Sequence, residues 1–160
     1  MESGYIFFKV WNSNSHNLSM VIKCFIWYYS IIVNKIYKCS EGFDTIFYGH
    51  KVTPEDDYEH GVEYTKDEGE VVFEKDFQRT LDAAERLIAD RPINNTAKEV
   101  IINMVYQIGE GGVSKFKNMW KALDNKDYGE ASFQMLDSLW AKQTPNRANK
   151  LSKKMQSAKL

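Results

Sequence analysis

The chain has 160 residues, 43 % of them hydrophobic and 27 % charged, with a formal net charge of −1. That length fills one core or two small lobes sharing one, and the composition excludes a disordered or collagen-like chain. A near-neutral balance supplies no bulk attraction to nucleic acid or anionic membranes, so nucleic acid is not an expected partner.

The charge is unevenly spread. Acids crowd residues 55–76, whereas the tail from Arg147 carries Lys150, Lys153, Lys154 and Lys159 with no acid. Such a tail is either a solvated helix surface or a basic face that lies along an anionic cell wall. The two cysteines, Cys24 and Cys39, make no disulfide framework and match no zinc-ligand spacing. No metal and no cofactor is therefore expected.

Residues 1–33 are aromatic and β-branched, broken by a polar stretch at 12–17. The apolar run 20–33, interrupted by Lys23, falls short of the ~20 residues a membrane-spanning helix needs. It sits late for a signal peptide and no small-residue cleavage site follows it, so burial in the core is the expectation. Next, Lys35-Ile-Tyr-Lys38 and Phe43-Asp-Thr-Ile-Phe-Tyr48 are β-prone runs flanking the turn sequence Ser40-Glu41-Gly42. They predict a β-hairpin.

Thr65-Lys-Asp-Glu68 has the form of a capping box, in which a hydroxyl and a carboxylate satisfy two free amides at a helix start. Behind it Phe73, Phe77, Leu81, Ala84 and Ile88 recur at helical spacing on one face. This helix should end near Asp90, because Pro92 disfavours helical geometry before it. Shorter helices are predicted over 96–108, ended by Gly109, then over 115–125 and 128–142. A last one opens with Thr144 as N-cap and Pro145 in first position. The organisation read from these elements is a divergent segment 1–33, a small β-rich lobe 34–64, a connecting helix 65–90 and a helical lobe 91–160. The fold class is α+β and mostly helical.

Four strings in this order resemble conserved blocks of T-even-phage-type lysozymes. They are Lys35-Ile-Tyr-Lys-Cys-Ser-Glu-Gly-Phe-Asp-Thr-Ile-Phe-Tyr-Gly-His50, Tyr64-Thr-Lys-Asp-Glu68, Ile102-Asn-Met-Val-Tyr-Gln-Ile-Gly-Glu110 and Trp140-Ala-Lys-Gln-Thr-Pro-Asn-Arg147. The resemblance implies a two-lobed lysozyme-like fold and a muramidase cutting the β-1,4 bond between N-acetylmuramic acid and N-acetylglucosamine. The implied partner is the glycan strand of bacterial peptidoglycan, met by a monomer. Phage release, baseplate penetration and antibacterial defence all fit, so the compartment stays open.

The family's chemistry uses an acid to protonate the leaving oxygen and a polar group opposite to orient water. By resemblance, Thr45 is the catalytic threonine, and Cys39 stands where the family has its catalytic aspartate. The catalytic glutamate should fall at about Ser30, and residues 27–33 carry no acid. Glu41 and Asp44 are the nearest acids in sequence; each is either a replacement or a solvent-facing turn residue. Tyr106 matches a cleft-lining aromatic, and Lys51 and Gln134 are further substrate-binding candidates. His50 and Asp76 should form a structural ion pair, and Arg147 matches an arginine that contacts the absent glutamate. Phe47 replaces a glycine of the hairpin block, where its ring would crowd the cleft or alter the strand. Segment 1–33 is unlike the family's first helix. Two readings stand: divergence to a glycan-binding protein that does not cut, or upstream sequence read in place of the true first exon.

Overall fold

The computed structural model describes residues 31–158, and the β-prone stretch forms a three-stranded antiparallel sheet in the order β1-β2-β3. These strands are β1 Val33–Lys38, β2 Asp44–Phe47 and β3 His50–Lys51. In the expected hairpin, Tyr37 pairs with Thr45 and Lys38 with Asp44. Gly42 turns the chain at φ +81°, a backbone region open to glycine, and its amide donates to the Cys39 carbonyl at 2.9 Å. β3 goes beyond the hairpin; at two residues it is too short to leave a periodic signal.

Helix α1 spans Lys66–Ile88 behind the capping box. The Thr65 hydroxyl accepts from the Glu68 amide at 3.2 Å, and the Glu68 carboxylate accepts from the Thr65 amide at 2.7 Å. Phe73, Phe77, Ala84 and Ile88 are buried, as the stripe requires, with Leu81 packed at the edge. The helix stops short of Asp90 because Ala89 leaves helical geometry at φ 46°.

The helical lobe comprises α2 Asn95–Ser114, α3 Lys117–Asp124, α4 Tyr128–Leu136, α5 Leu139–Gln143 and α6 Pro145–Gln156. Three details differ from expectation. Gly109 kinks α2 at φ 71°, ψ 169°, but the helix resumes to Ser114. The expected helix 128–142 breaks at Ser138, whose Oγ accepts from the Ala141 amide at 3.1 Å and so starts α5. Thr144 does not cap α6, because its hydroxyl donates to the Trp140 carbonyl at 3.1 Å.

One cluster of buried side chains runs from Ile46 and Phe47 of β2 through α1 to Leu151 and Met155 of α6. The architecture is thus the expected lysozyme-like α+β fold: a small sheet, a long helix and a helical lobe. No helix among the described residues is long and apolar enough to cross a membrane.

Phe47 does not crowd the sheet's polar face. It takes a left-handed φ of 55° that turns its ring inward, where it is fully buried. The ring meets Tyr58 edge-on at 5.5 Å and Tyr64 at 6.2 Å. It also lies where a Cβ on Gly69 would be, 2.8 Å away. Glycine at 69 is what lets α1 approach this ring.

Candidate functional site

Directly opposed residues of an antiparallel pair point to the same face, as do residues two apart on one strand. Tyr37 opposes Thr45, and Thr45 opposes Lys51. Cys39 lies two beyond Tyr37. One face of the sheet therefore gathers Tyr37, Cys39, Thr45 and Lys51. Thr45 is 5 % exposed, and its hydroxyl donates to the Phe43 carbonyl at 3.1 Å. The Cys39 thiol is held below the usual thiol range, first by the Glu41 amide and then by the Thr45 hydroxyl. The Lys51 ammonium sits 3.5 Å above the centre of the Phe43 ring.

From α2, Tyr106 comes within electrostatic reach of Tyr37 and Arg147, and its hydroxyl donates to the Tyr48 carbonyl at 3.0 Å. Burial holds its phenol well above the ordinary range, so it remains a donor throughout the working pH range. Arg147, in the first turn of α6, donates from Nε to Asn103 Oδ1 at 2.9 Å. Burial pulls the guanidinium's pKa down, opposed by Tyr106. Among the described residues, Arg147 Nη2 and Asn103 Nδ2 are buried without a hydrogen-bond partner.

The acids near the hairpin are differently placed. Glu41 is exposed in the turn. Asp44 lies 2.9 Å from the Lys38 ammonium and 3.3 Å from His60, and Lys38 foremost holds its carboxyl below the usual range. A carboxylate so paired stays ionised and has no proton to give near neutral pH.

Gln134 stands apart on α4, donating to Glu130 at 2.7 Å and accepting from Asn118 at 3.3 Å. Among the described residues, no hydrogen bond ties it to the sheet face. Ser30 lies outside the described residues. His50 Nδ1 is 2.7 Å from Asp76 Oδ2, which joins β3 to α1 as expected, and Nε2 is 3.3 Å from Asp56 Oδ2.

Sequence reasoning missed Asp56 and Asn103. Asp56 accepts from the Thr53 amide at 2.7 Å and hydroxyl at 2.8 Å, a local turn visible in Thr53-Pro-Glu-Asp56. Asn103 is 1 % exposed, and its signal was a lone amide within the apolar run Val100-Ile-Ile-Asn-Met-Val105. An open depression lined by Asn125, Asp127, Tyr128, Lys153 and Ser157 includes none of the sheet-face residues. Its one carboxylate, Asp127, is occupied in capping α4.

A small sheet joined by one long helix to a helical lobe, with a threonine and a thiol beside the hairpin turn, defines a lysozyme-like protein. Residues 31–157 match the family model described as phage lysozyme, and the chain belongs to that family. It is similar to "Probable T4-type lysozyme 1" of Dictyostelium discoideum, at 33 % identity over 144 residues, covering 73 % of this chain and 82 % of that protein. A second protein of that organism, "Probable T4-type lysozyme 2", is 30 % identical over 140 residues, again covering 73 % and 82 %. "Peptidoglycan hydrolase gp36" of Pseudomonas phage phiKMV is 32 % identical over 98 residues, covering 59 % of this chain and 11 % of that protein.

Proposed function

We propose that this chain binds peptidoglycan glycan strands along the Tyr37–Cys39–Thr45–Lys51 face, as a muramidase-type protein whose cutting step is impaired. Breaking the β-1,4 bond between N-acetylmuramic acid and N-acetylglucosamine requires a proton for the leaving oxygen and a water held on the opposite side. Thr45 and Cys39 supply groups that can hold the water. The proton is harder to supply. The carrying observation is the ion pairing of Asp44 by Lys38 and His60, which leaves the hairpin's half-buried carboxylate without a proton to donate. Glu41 is exposed in the turn, and the family resemblance puts the glutamate position at about Ser30, in a stretch 27–33 without an acid. Loss of a general acid slows such a reaction by about 10²–10⁴-fold.

The test compares the unmodified chain with Ser30→Glu, Cys39→Asp and the double variant on insoluble cell walls. All four should co-sediment with the walls, and only the double variant should release reducing ends at a lysozyme-like rate. Rapid release by the unmodified chain, or failure of every form to sediment, overturns the proposal.

A second reading, a muramidase active as it stands, draws on one observation: the Cys39 thiol is poised below its usual pKa. In that reading hydrolysis rises with pH as the thiolate forms, and Cys39→Ser abolishes it.

A further inference from the structure

We infer that Lys51, held against the Phe43 ring, is a specificity-determining contact for a carboxylate on the muramyl residue of a bound strand. That carboxylate is either the free lactyl group of a bare strand or one carried by a stem peptide attached there. The inference rests on the glycan-binding reading above and names what one position of that face selects.

Strand register fixes where the cation stands. Lys51 opposes Thr45 across β2 and β3, and Phe43 precedes Thr45 by two residues, so all three side chains share one face. A long side chain reaches its diagonal neighbour in such a pair, and the ammonium lies 3.5 Å above the centre of the Phe43 ring. The ring attracts the cation through its quadrupole but neutralises none of its charge. It also takes up only one side of the ammonium. Lys51 is exposed, so its remaining N–H groups open to whatever lies along the face.

The other lysines of the sheet are differently served. Lys35 lies 3.2 Å from Glu63, and Lys38 lies 2.9 Å from Asp44. Among the described residues no carboxylate pairs with Lys51. Asp44 alternates to the opposite face from Phe43 and Thr45, where Lys38 and His60 engage it. Among Tyr37, Cys39, Phe43, Thr45 and Lys51, the permanent charge belongs to Lys51 alone.

A strand of this kind alternates two sugars that both carry hydroxyls and an N-acetyl group. An acid appears on one of them, at the lactyl ether of muramic acid, where it is free or extended by a peptide with carboxylates of its own. Neutral groups on the face treat the two sugars alike, whereas a fixed ammonium tells them apart. An exposed ion pair contributes little affinity, but selection needs only a difference between two ligands. Preference for the free lactyl acid would place this chain after an amide hydrolysis that strips the stem peptide.

The experiment titrates the full chain and its Lys51→Met and Lys51→Arg variants calorimetrically with soluble tetrasaccharides. A chitin tetrasaccharide lacks the lactyl group. The alternating N-acetylglucosamine–N-acetylmuramic acid tetrasaccharide is used as the free acid, as its neutral methyl amide, and with stem peptides attached. The unmodified chain should bind the free acid or the peptide-bearing form about two- to fivefold more tightly than the methyl amide. Whichever form exceeds the amide identifies the source of the carboxylate. Lys51→Met should bring that ratio close to one, and Lys51→Arg should restore it, because charge rather than packing of the stem sets it. The ratio should also shrink as ionic strength rises from about 0.01 M to about 0.15 M, since the screening length falls from roughly 30 Å to 8 Å. Equal binding of all muramyl forms by the unmodified chain, or a ratio that survives Lys51→Met, overturns the inference and leaves the glycan-binding reading standing. If none of the tetrasaccharides binds, that reading fails and takes the inference with it.

Discussion

His50 faces a carboxylate at each ring nitrogen, Asp76 at 2.7 Å and Asp56 at 3.3 Å. The Asp76 hydrogen bond, above all, raises its pKa, and burial works against it. A raised histidine contributes stability that is complete below its unfolded value of about 6.5 and is lost as pH climbs through the folded one. For Asp56, burial pushes upward, but the Thr53 amide and hydroxyl and His50 outweigh it, so the net shift is down. Its contribution is complete above about 3.9 and fades as pH falls through the depressed folded value. The chain should therefore be most stable between about pH 4 and 6.5, and its Tm should fall from pH 6 to 8. His50→Gln should flatten that fall. An unchanged pH slope in the variant would show that other groups set it. The His50–Asp76 pair was legible only through the family resemblance, since Asp76 lies on α1 eight residues beyond the capping-box block. Asp56 was not, since a loop aspartate reveals its neighbour only after the loop has folded. The hairpin that brings Cys39 and Thr45 together was legible, but the pull of the Glu41 amide on the thiol depends on turn geometry that the letters do not give.

Among the elements, α1 was the most legible, since its capping box and apolar stripe are local patterns that tertiary packing reinforces. Thr65→Ala should cost about 1 kcal/mol, read from urea unfolding. The hydroxyls of Ser138 and Thr144 were harder to read. Each can cap the helix ahead or close the one behind; Ser138 bonds both ways, to the Met135 carbonyl and the Ala141 amide, while Thr144 bonds only backward. Phe47 and Gly69 make the strongest coupling between elements. A methyl group at 69 would press on the Phe47 ring at 2.8 Å, so Gly69→Ala should destabilise by about 1–3 kcal/mol through overpacking. Phe47→Gly relieves the left-handed backbone but empties a fully buried ring site, at a net cost of roughly 2–4 kcal/mol. In the Phe47→Gly background, Gly69→Ala should turn neutral or favourable, because helix propensity then favours alanine by about 1 kcal/mol. Additive effects in this cycle would mean that α1 does not approach β2 as described.

At the scale of the whole molecule, α1 and, among the described residues, one direct polar contact join the sheet to the helical lobe. Phe73 of α1 lies between the two, with ring centres 5.3 Å from Tyr48 and 5.8 Å from Tyr106. Beside this contact the Tyr106 hydroxyl bonds the Tyr48 carbonyl, joining positions 58 residues apart. The lysozyme-like architecture could be read from four ordered strings, but not this tether, because a hydroxyl's partner that far along the chain leaves no local pattern. The tether bears on function, since the family resemblance assigns Tyr106 to the glycan, whereas its hydroxyl is already committed within the protein. Tyr106→Phe keeps the ring and removes only that bond, leaving the Tyr48 carbonyl short of a donor. It should cost about 1–2 kcal/mol, or roughly 2–8 °C in Tm, and leave cell-wall sedimentation unchanged. Loss of wall binding with no loss of stability would reverse the assignment and make the hydroxyl a substrate contact.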